Sequence, residues 1–141
     1  ATGKQMLAAM VLGAEGVQMG SRFVASQEAS SHSSFKNAVI GSKEGDTVLT
    51  LKQLTPVRMM RNRFYDQVQE AERRGASQEE LKNLLGRGRA KKGMFEGNLD
   101  EGELEIGQAS SLLDSVLPAG DIVKKVWEEF LTGLQNPIQM L

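Results

Sequence analysis

The sequence predicts an α/β chain in which a helix–strand unit at the amino-terminal end is followed by a region that is mainly helical. Three observations carry this. A capping box opens directly onto an apolar helical stripe at residues 2 to 11, a short stretch with period-two alternation follows at residues 17 to 20, and helical spacing of apolar residues then recurs from residue 56 to residue 134.

Thr2 followed by Gln5 has the hydroxyl–amide spacing of a capping box, so a helix is expected to begin at Gly3. Met6, Leu7, Met10 and Val11 lie on one face of it, and the helix ends near Gly13. After the turn "GAEG", Val17 and Met19 alternate with Gln18 and Gly20, the pattern of a short strand. The serine-rich stretch that follows reads as a loop and then a helix carrying Phe35, Ala38, Val39 and Ile40. "DTVLTLKQL" alternates Val48 and Thr50 with Leu49 and Leu51 and is expected to be a strand or extended arm. Thr55 and Pro56 have the chemistry of an N-cap and a first helical position, and Val57, Met60, Phe64, Val68 and Ala71 continue at helical spacing to Gly75. One long helix is expected there. Ser77 and Glu80 form a second capping box, followed by the basic, glycine-rich "GRGRAKKGMFEG" and an acidic turn. Pro118 to Asp121 introduces a last helix with Ile122, Val123, Val126, Trp127, Phe130, Leu131 and Leu134 on one stripe, and Asn136-Pro137 ends it.

Composition narrows the classes of function. The 17 Lys and Arg against 18 Asp and Glu give a net charge of -1, which argues against a globally basic nucleic-acid-binding surface. Cysteine is absent and there is one histidine, so no disulfide framework, thiolate chemistry or metal site is expected. No apolar run reaches the roughly 20 residues of a membrane span, and the start lacks the pattern of a signal peptide. A soluble, cytoplasmic protein is expected. The chain opens without Met and already at the mouth of a helix, which reads as a fragment.

Gly20-Ser21 is the chemically suggestive pair. A glycine at the end of a strand lets the backbone approach an anion closely, and the adjacent hydroxyl adds a donor. The helix N-terminus at Gly3 would converge on the same anion if both faced one site; on spacing alone, a Gly-Ser turn without ligand is the plainer reading. His32 sits in a serine-rich context and reads as a solvated residue, not a catalytic base. Arg87, Arg89, Lys91 and Lys92 are interleaved with Glu79, Glu80, Glu96 and Asp100 and read as a solvated charged face.

The order of blocks changes the weighing. "ATGK", "LGAE" and "GVQMGSRF", then "TPVRMMRN", then "EGNLDEGELEIGQ", match A-D/T-G-R/K, L-G-A-D/E, G-V-Q-M/I-G-T/S-R-F, T-P-V-R-x-x-x-N and E-G-D/N-x-x-E-G-x-x-x-x-G-Q in sequence. This chain resembles the nitronate monooxygenase family, formerly called 2-nitropropane dioxygenases, which also includes the FMN-dependent enoyl-ACP reductase II enzymes. The resemblance implies the C-terminal part of a TIM (β/α)8 barrel. Residues 1-45 would be the last part of the FMN-binding barrel (helix 7, strand 8, helix 8), and residues 46-141 a mainly helical region packed on it.

By the same resemblance, the amides of Gly20 and Ser21 hold the FMN phosphate with the Ser21 hydroxyl as a further donor, Gly3 belongs to the same cofactor site, and Gly107-Gln108 returns toward the flavin ring. Ala109 stands where relatives often carry Ser. The family's active-site histidine lies upstream, so no catalytic residue is expected in this chain. The implied activity of the parent is oxidation of alkyl nitronates with O2; the alternative is NAD(P)H-dependent reduction of an enoyl thioester on acyl carrier protein. The competing class is a non-catalytic helical interaction module. Partners implied are a small nitronate or a carrier-bound enoyl substrate and further copies of the chain, with no nucleic acid and no membrane. Taken alone, the 141 residues are expected to be inactive, to bind FMN weakly or not at all, and to leave Met6 to Val11, Val17 and Met19 open, which favours dimerisation or rearrangement.

Overall fold

The computed structural model describes residues 1–135. Along the chain run α1 (Gly3–Val11), α2 (Ser21–Val24), α3 (Ser33–Ile40), β1 (Thr47–Thr50), β2 (Val57–Met60), α4 (Arg63–Arg73), α5 (Gln78–Leu85), a π-helical turn at Lys91–Phe95, a 3-10 turn at Gln108–Leu112 and α6 (Ala119–Gln135). Both capping boxes form: Thr2 Oγ1 accepts from the Gln5 N–H at 3.3 Å, and Ser77 Oγ accepts from the Glu80 N–H at 3.2 Å. The expected stop at Asn136-Pro137 lies outside the described residues.

Two expectations fail. Val17 to Met19 form no strand, because among the described residues no second strand lies beside them and a lone strand leaves its ladder unpaired. The long helix expected from Pro56 is two elements: Val57–Met60 is β2, antiparallel to β1 with Thr47 opposite Met60 and Thr50 opposite Val57, and the helix starts only at Arg63. The apolar spacing at Val57 and Met60 fits a strand as well as a helix, and pairing with β1 decides between them. The region after residue 46 therefore contains a hairpin as well as helices. Within it, Met59 and Met60 point to opposite faces, one into a core of Leu51, Phe64, Val68 and Leu81 and the other into a core of Ala25, Phe35, Val39 and Ile106.

Residues 98 to 107 run along the outer edge of β2. The Met60 N–H donates to the Leu104 carbonyl at 2.9 Å and the Ile106 N–H to the Arg58 carbonyl at 3.2 Å. Asn62 fastens the other end. Its Oδ1 caps α4 by accepting from the Tyr65 N–H at 2.9 Å, while its Nδ2 donates to the carbonyls of Leu99 at 2.8 Å and Gly102 at 2.7 Å. Here Gly102 crosses Gly93 so closely that a Cβ on Gly102 would lie 2.1 Å from the Gly93 Cα. Only glycines permit this crossing.

His32 stays exposed as expected while it caps a helix, and one basic residue read as solvated is drawn into the structure. His32 caps α3, its Nδ1 accepting from the Ser34 N–H at 3.1 Å, and its ring packs over Gly97. Arg89 is drawn inward: its guanidinium donates to the carbonyls of Leu84 and Glu101, each at 3.0 Å, and lies 4.5 Å from the centre of the Phe64 ring. The last helix departs from its expected single buried stripe, with Ile122, Phe130 and Gly133 buried and Val123, Trp127, Leu131 and Leu134 exposed.

Asn62→Ala is expected to destabilise the protein by about 2 kcal/mol, from one lost cap and two part-buried carbonyls left without this donor. Asn62→Asp keeps the cap but turns a carboxylate oxygen toward both carbonyls, so chemical denaturation should find it at least as unstable as Asn62→Ala. A pH dependence follows from Glu103, which is buried and whose carboxyl is pushed up to about 7 by desolvation and by the nearby Glu105, with Arg89 opposing. The unfolded carboxyl ionises near 4.5, so stability is fully present below that pH and is lost as pH rises through about 7. The loss amounts to at most about 3 kcal/mol. Melting curves between pH 4 and 8 should show this fall, and Glu103→Gln should flatten it.

Candidate functional site

Ser21 opens α2, and its hydroxyl oxygen accepts a hydrogen bond from the Gly107 N–H at 3.1 Å across 86 positions of sequence. The two segments touch so closely that a Cβ on Gly107 would lie 2.8 Å from Ser21 Oγ. Because Oγ accepts here, its own O–H remains to donate elsewhere. A cavity of about 130 Å³ opens beside it, lined by Ala1, Gln18, Met19, Gly20, Ser21, Arg22 and Ala109. Gly20 faces open space: a Cβ built on it meets no atom within 4 Å. At the start of α2 the first backbone N–H groups have no acceptor within the helix.

Arg22 lies beneath the lip. It is buried, and its guanidinium donates to the Ser115 carbonyl at 2.8 Å. Burial disfavours its charge, and Asp114 and Glu129 offset that effect. The side chain also lines a second cavity of about 220 Å³ together with Ala1, Thr2, Asp114, Lys125 and Glu129. On the other flank Met19 is shared with an apolar groove of about 270 Å³, lined by Met6, Val17, Phe23, Val126 and Trp127 among others.

Of the residues singled out from sequence, the fold brings Gly20, Ser21 and Gly107 together and sets Ala109 on the same cavity. Gln108 is exposed at the start of the 3-10 turn and is not among the cavity's lining residues. Gly3 is buried beneath α6, and its N–H donates to Glu129 Oε2 at 2.8 Å instead of into this cavity. Two charged residues that sequence reasoning passed over belong to the surroundings of the site. Arg22 stood inside the quoted "GSRF" block, where its burial had no local signal; Glu129 is 126 positions from its partner, and nothing short of the fold pairs them. No group of three or more His, Cys, Asp or Glu suited to a metal occurs among the described residues, and no helix there is long and apolar enough to cross a membrane.

This mixed α/β arrangement has known counterparts. Residues 1–129 match the family model described as nitronate monooxygenase. A probable nitronate monooxygenase of Staphylococcus aureus (strain Newman) is 42% identical over 71 residues, which is 50% of this chain and 20% of that protein. FabK from Thermotoga maritima superimposes on 100% of this chain with a TM-score of 0.90 and 33% identity, using 45% of its own chain. Nitroalkane oxidase from Streptomyces ansochromogenes covers 95% of this chain at a TM-score of 0.74 and 24% identity, a likeness of fold, and 38% of that chain is used. The chain belongs to the nitronate monooxygenase family. It spans about a fifth of the length of the curated relatives and under half of these solved relatives.

Ser21→Ala removes the acceptor for the Gly107 N–H and should cost about 1 kcal/mol. Ser21→Thr keeps the oxygen and should cost less. Amide exchange at Gly107 reads the difference directly, slowed in the unsubstituted protein and faster in Ser21→Ala.

Proposed function

We propose that this chain forms part of an FMN-dependent oxidoreductase that oxidises alkyl nitronates with O2, and that the Gly20–Ser21 lip holds the phosphate end of the flavin. The carrying observation is the clasp at 3.1 Å between Ser21 Oγ and the Gly107 N–H beside a cavity whose floor is a glycine. Gly20 has open space where a Cβ would stand, the feature a backbone cradle for an oxyanion requires. The hydroxyl of Ser21 is fixed by Gly107 with its proton free to donate, and buried Arg22 adds a positive field from below. These donors fit a phosphate.

FMN, when bound, supplies the redox chemistry; this chain's residues bind and orient it. Gly20 and Ser21 fix one end by backbone and hydroxyl donors. Gly107, tied to Ser21, carries Gln108 and Ala109 along with it, so the segment proposed to approach the flavin ring moves with the phosphate lip. The small nitronate and the proton-handling histidine of the reaction are assigned to parts of the protein outside this chain.

One observation favours a second reading. FabK matches the whole of this chain at a TM-score of 0.90, and that supports NAD(P)H-dependent reduction of a carrier-bound enoyl thioester as the alternative activity. Assays of the protein that carries this chain decide between them. Oxygen uptake with propionate 3-nitronate is expected; NADH consumption with crotonyl thioester alone would favour the alternative, and silence with both would overturn the flavoenzyme reading. Gly20→Val fills the cradle and is expected to raise the dissociation constant for FMN about tenfold or more, read by quenching of flavin fluorescence.

A further inference from the structure

The N-terminus of α1 is served by a carboxylate from the far end of the chain. Its own first turn holds no acidic residue and carries Lys4, whose positive charge opposes the helix dipole. The missing negative charge arrives from α6: Glu129 Oε2 accepts from the Gly3 N–H at 2.8 Å. Gly3 makes this possible. A Cβ there would lie 2.4 Å from both the Phe130 nitrogen and the Val126 carbonyl oxygen, so only glycine lets the α6 backbone come near enough. Buried Arg22 feels the same carboxylate, and Lys125 lines the same cavity. Without Glu129, the group of Arg22, Lys125 and the α1 N-terminus would retain Asp114 as its one acidic residue among the cavity's lining.

We infer that Glu129 is the built-in anion of the α1 N-terminus, a positioning residue that occupies the place an external phosphate would otherwise take and so confines phosphate binding to the Gly20–Ser21 lip. The first half of this stands on the contact alone; the second rests on the flavin reading above. Glu129 offsets the dipole of α1 through its bond to the Gly3 N–H, and it draws α6 across the first turn of α1. The lip then lies beside a closed anion site. A flavin phosphate has one cradle to enter, not two.

Anion rescue tests this. In the flavin-free protein that carries this chain, the melting temperature is compared in sodium phosphate and sodium chloride at matched ionic strength, for the unsubstituted protein, Glu129→Ala and Glu129→Gln. Removing the carboxylate opens the α1 N-terminus, so phosphate at about ten times its dissociation constant should raise the melting temperature of Glu129→Ala about 2 °C more than it raises that of the unsubstituted protein. Glu129→Gln, which keeps the shape and loses the charge, should show the same sign of effect; it carries the test alone should Glu129→Ala fail to fold. Equal phosphate responses in variant and unsubstituted protein overturn the inference, as does a Glu129→Gln protein indistinguishable from the unsubstituted one. The pair Glu129→Ala with Gly20→Val separates this site from the lip. Rescue that persists in the double variant supports the α1 N-terminus as the opened site, and rescue that disappears assigns the phosphate to the lip and overturns the inference. Failure of Gly20→Val to weaken FMN in the Glu129-containing protein bears on the flavin reading only.

Discussion

The structure depends on the segment from Asn98 to Gly107 lying along the edge of β2. It is irregular along most of its length, and its polar backbone groups would be orphaned if the hairpin did not take them up. Met60 and Arg58 exchange hydrogen bonds with Leu104 and Ile106, and Asn62 takes the carbonyls of Leu99 and Gly102. That pinning delivers Leu104 and Ile106 into the core with Phe35 and Val39. It also ends at Gly107, one hydrogen bond from Ser21. The lip is thus built by a strand edge some distance away, and anything that loosens Asn62 or the Gly93–Gly102 crossing reaches Ser21 through the same stretch of backbone.

A second constraint acts where α1 and α6 meet. The two helices pack more extensively on each other than on any other element, and their backbones converge at Gly3. Their other faces stay bare. Val11 and Leu12 at the end of α1, Val17 after it, and Val123, Trp127, Leu131 and Leu134 of α6 are exposed, and several of them border the apolar groove that also holds Met6 and Phe23. Isolated exposed apolar residues are ordinary, but a contiguous set rimmed by a helix pair and an unpaired stretch of chain is not. The unpaired Val17 to Met19 and the bare face of α6 border the same apolar groove.

Local chemistry made much of this legible. Capping boxes at Thr2 and Ser77 marked two helix starts, because a hydroxyl and an amide or carboxylate three positions apart satisfy backbone donors wherever the chain goes next. The ordered blocks identified the family and singled out Gly20, Ser21 and Gly107, and the fold places Gly107 against Ser21 instead of at the far end of a cofactor. What failed was whatever depended on a partner elsewhere in the chain. Val57 to Met60 carries a spacing compatible with helix or strand, and its pairing with Thr47 to Thr50 is a tertiary fact. Pro56 suggested a helix start but stands at the end of the hairpin connection instead. Arg89 looked solvated since its sequence neighbours are polar and charged, while its contact, Phe64, is remote. Glu129 had no signal at all.

The site itself shows why remote pairing matters more here than any contiguous motif. A phosphate cradle needs donors that are fixed in place but not already spent on the protein. Ser21 meets both conditions through one bond: the Gly107 N–H holds the oxygen still by donating to it, which leaves the hydroxyl proton available. Gly3 has a comparable donor at a helix start, yet Glu129 takes it with a carboxylate oxygen at 2.8 Å. Two glycine-bearing helix starts with similar local sequence chemistry therefore end in opposite states, one open toward a cavity and one closed by a side chain. The difference lies in what the fold brings to each, a backbone N–H to the first and a carboxylate to the second.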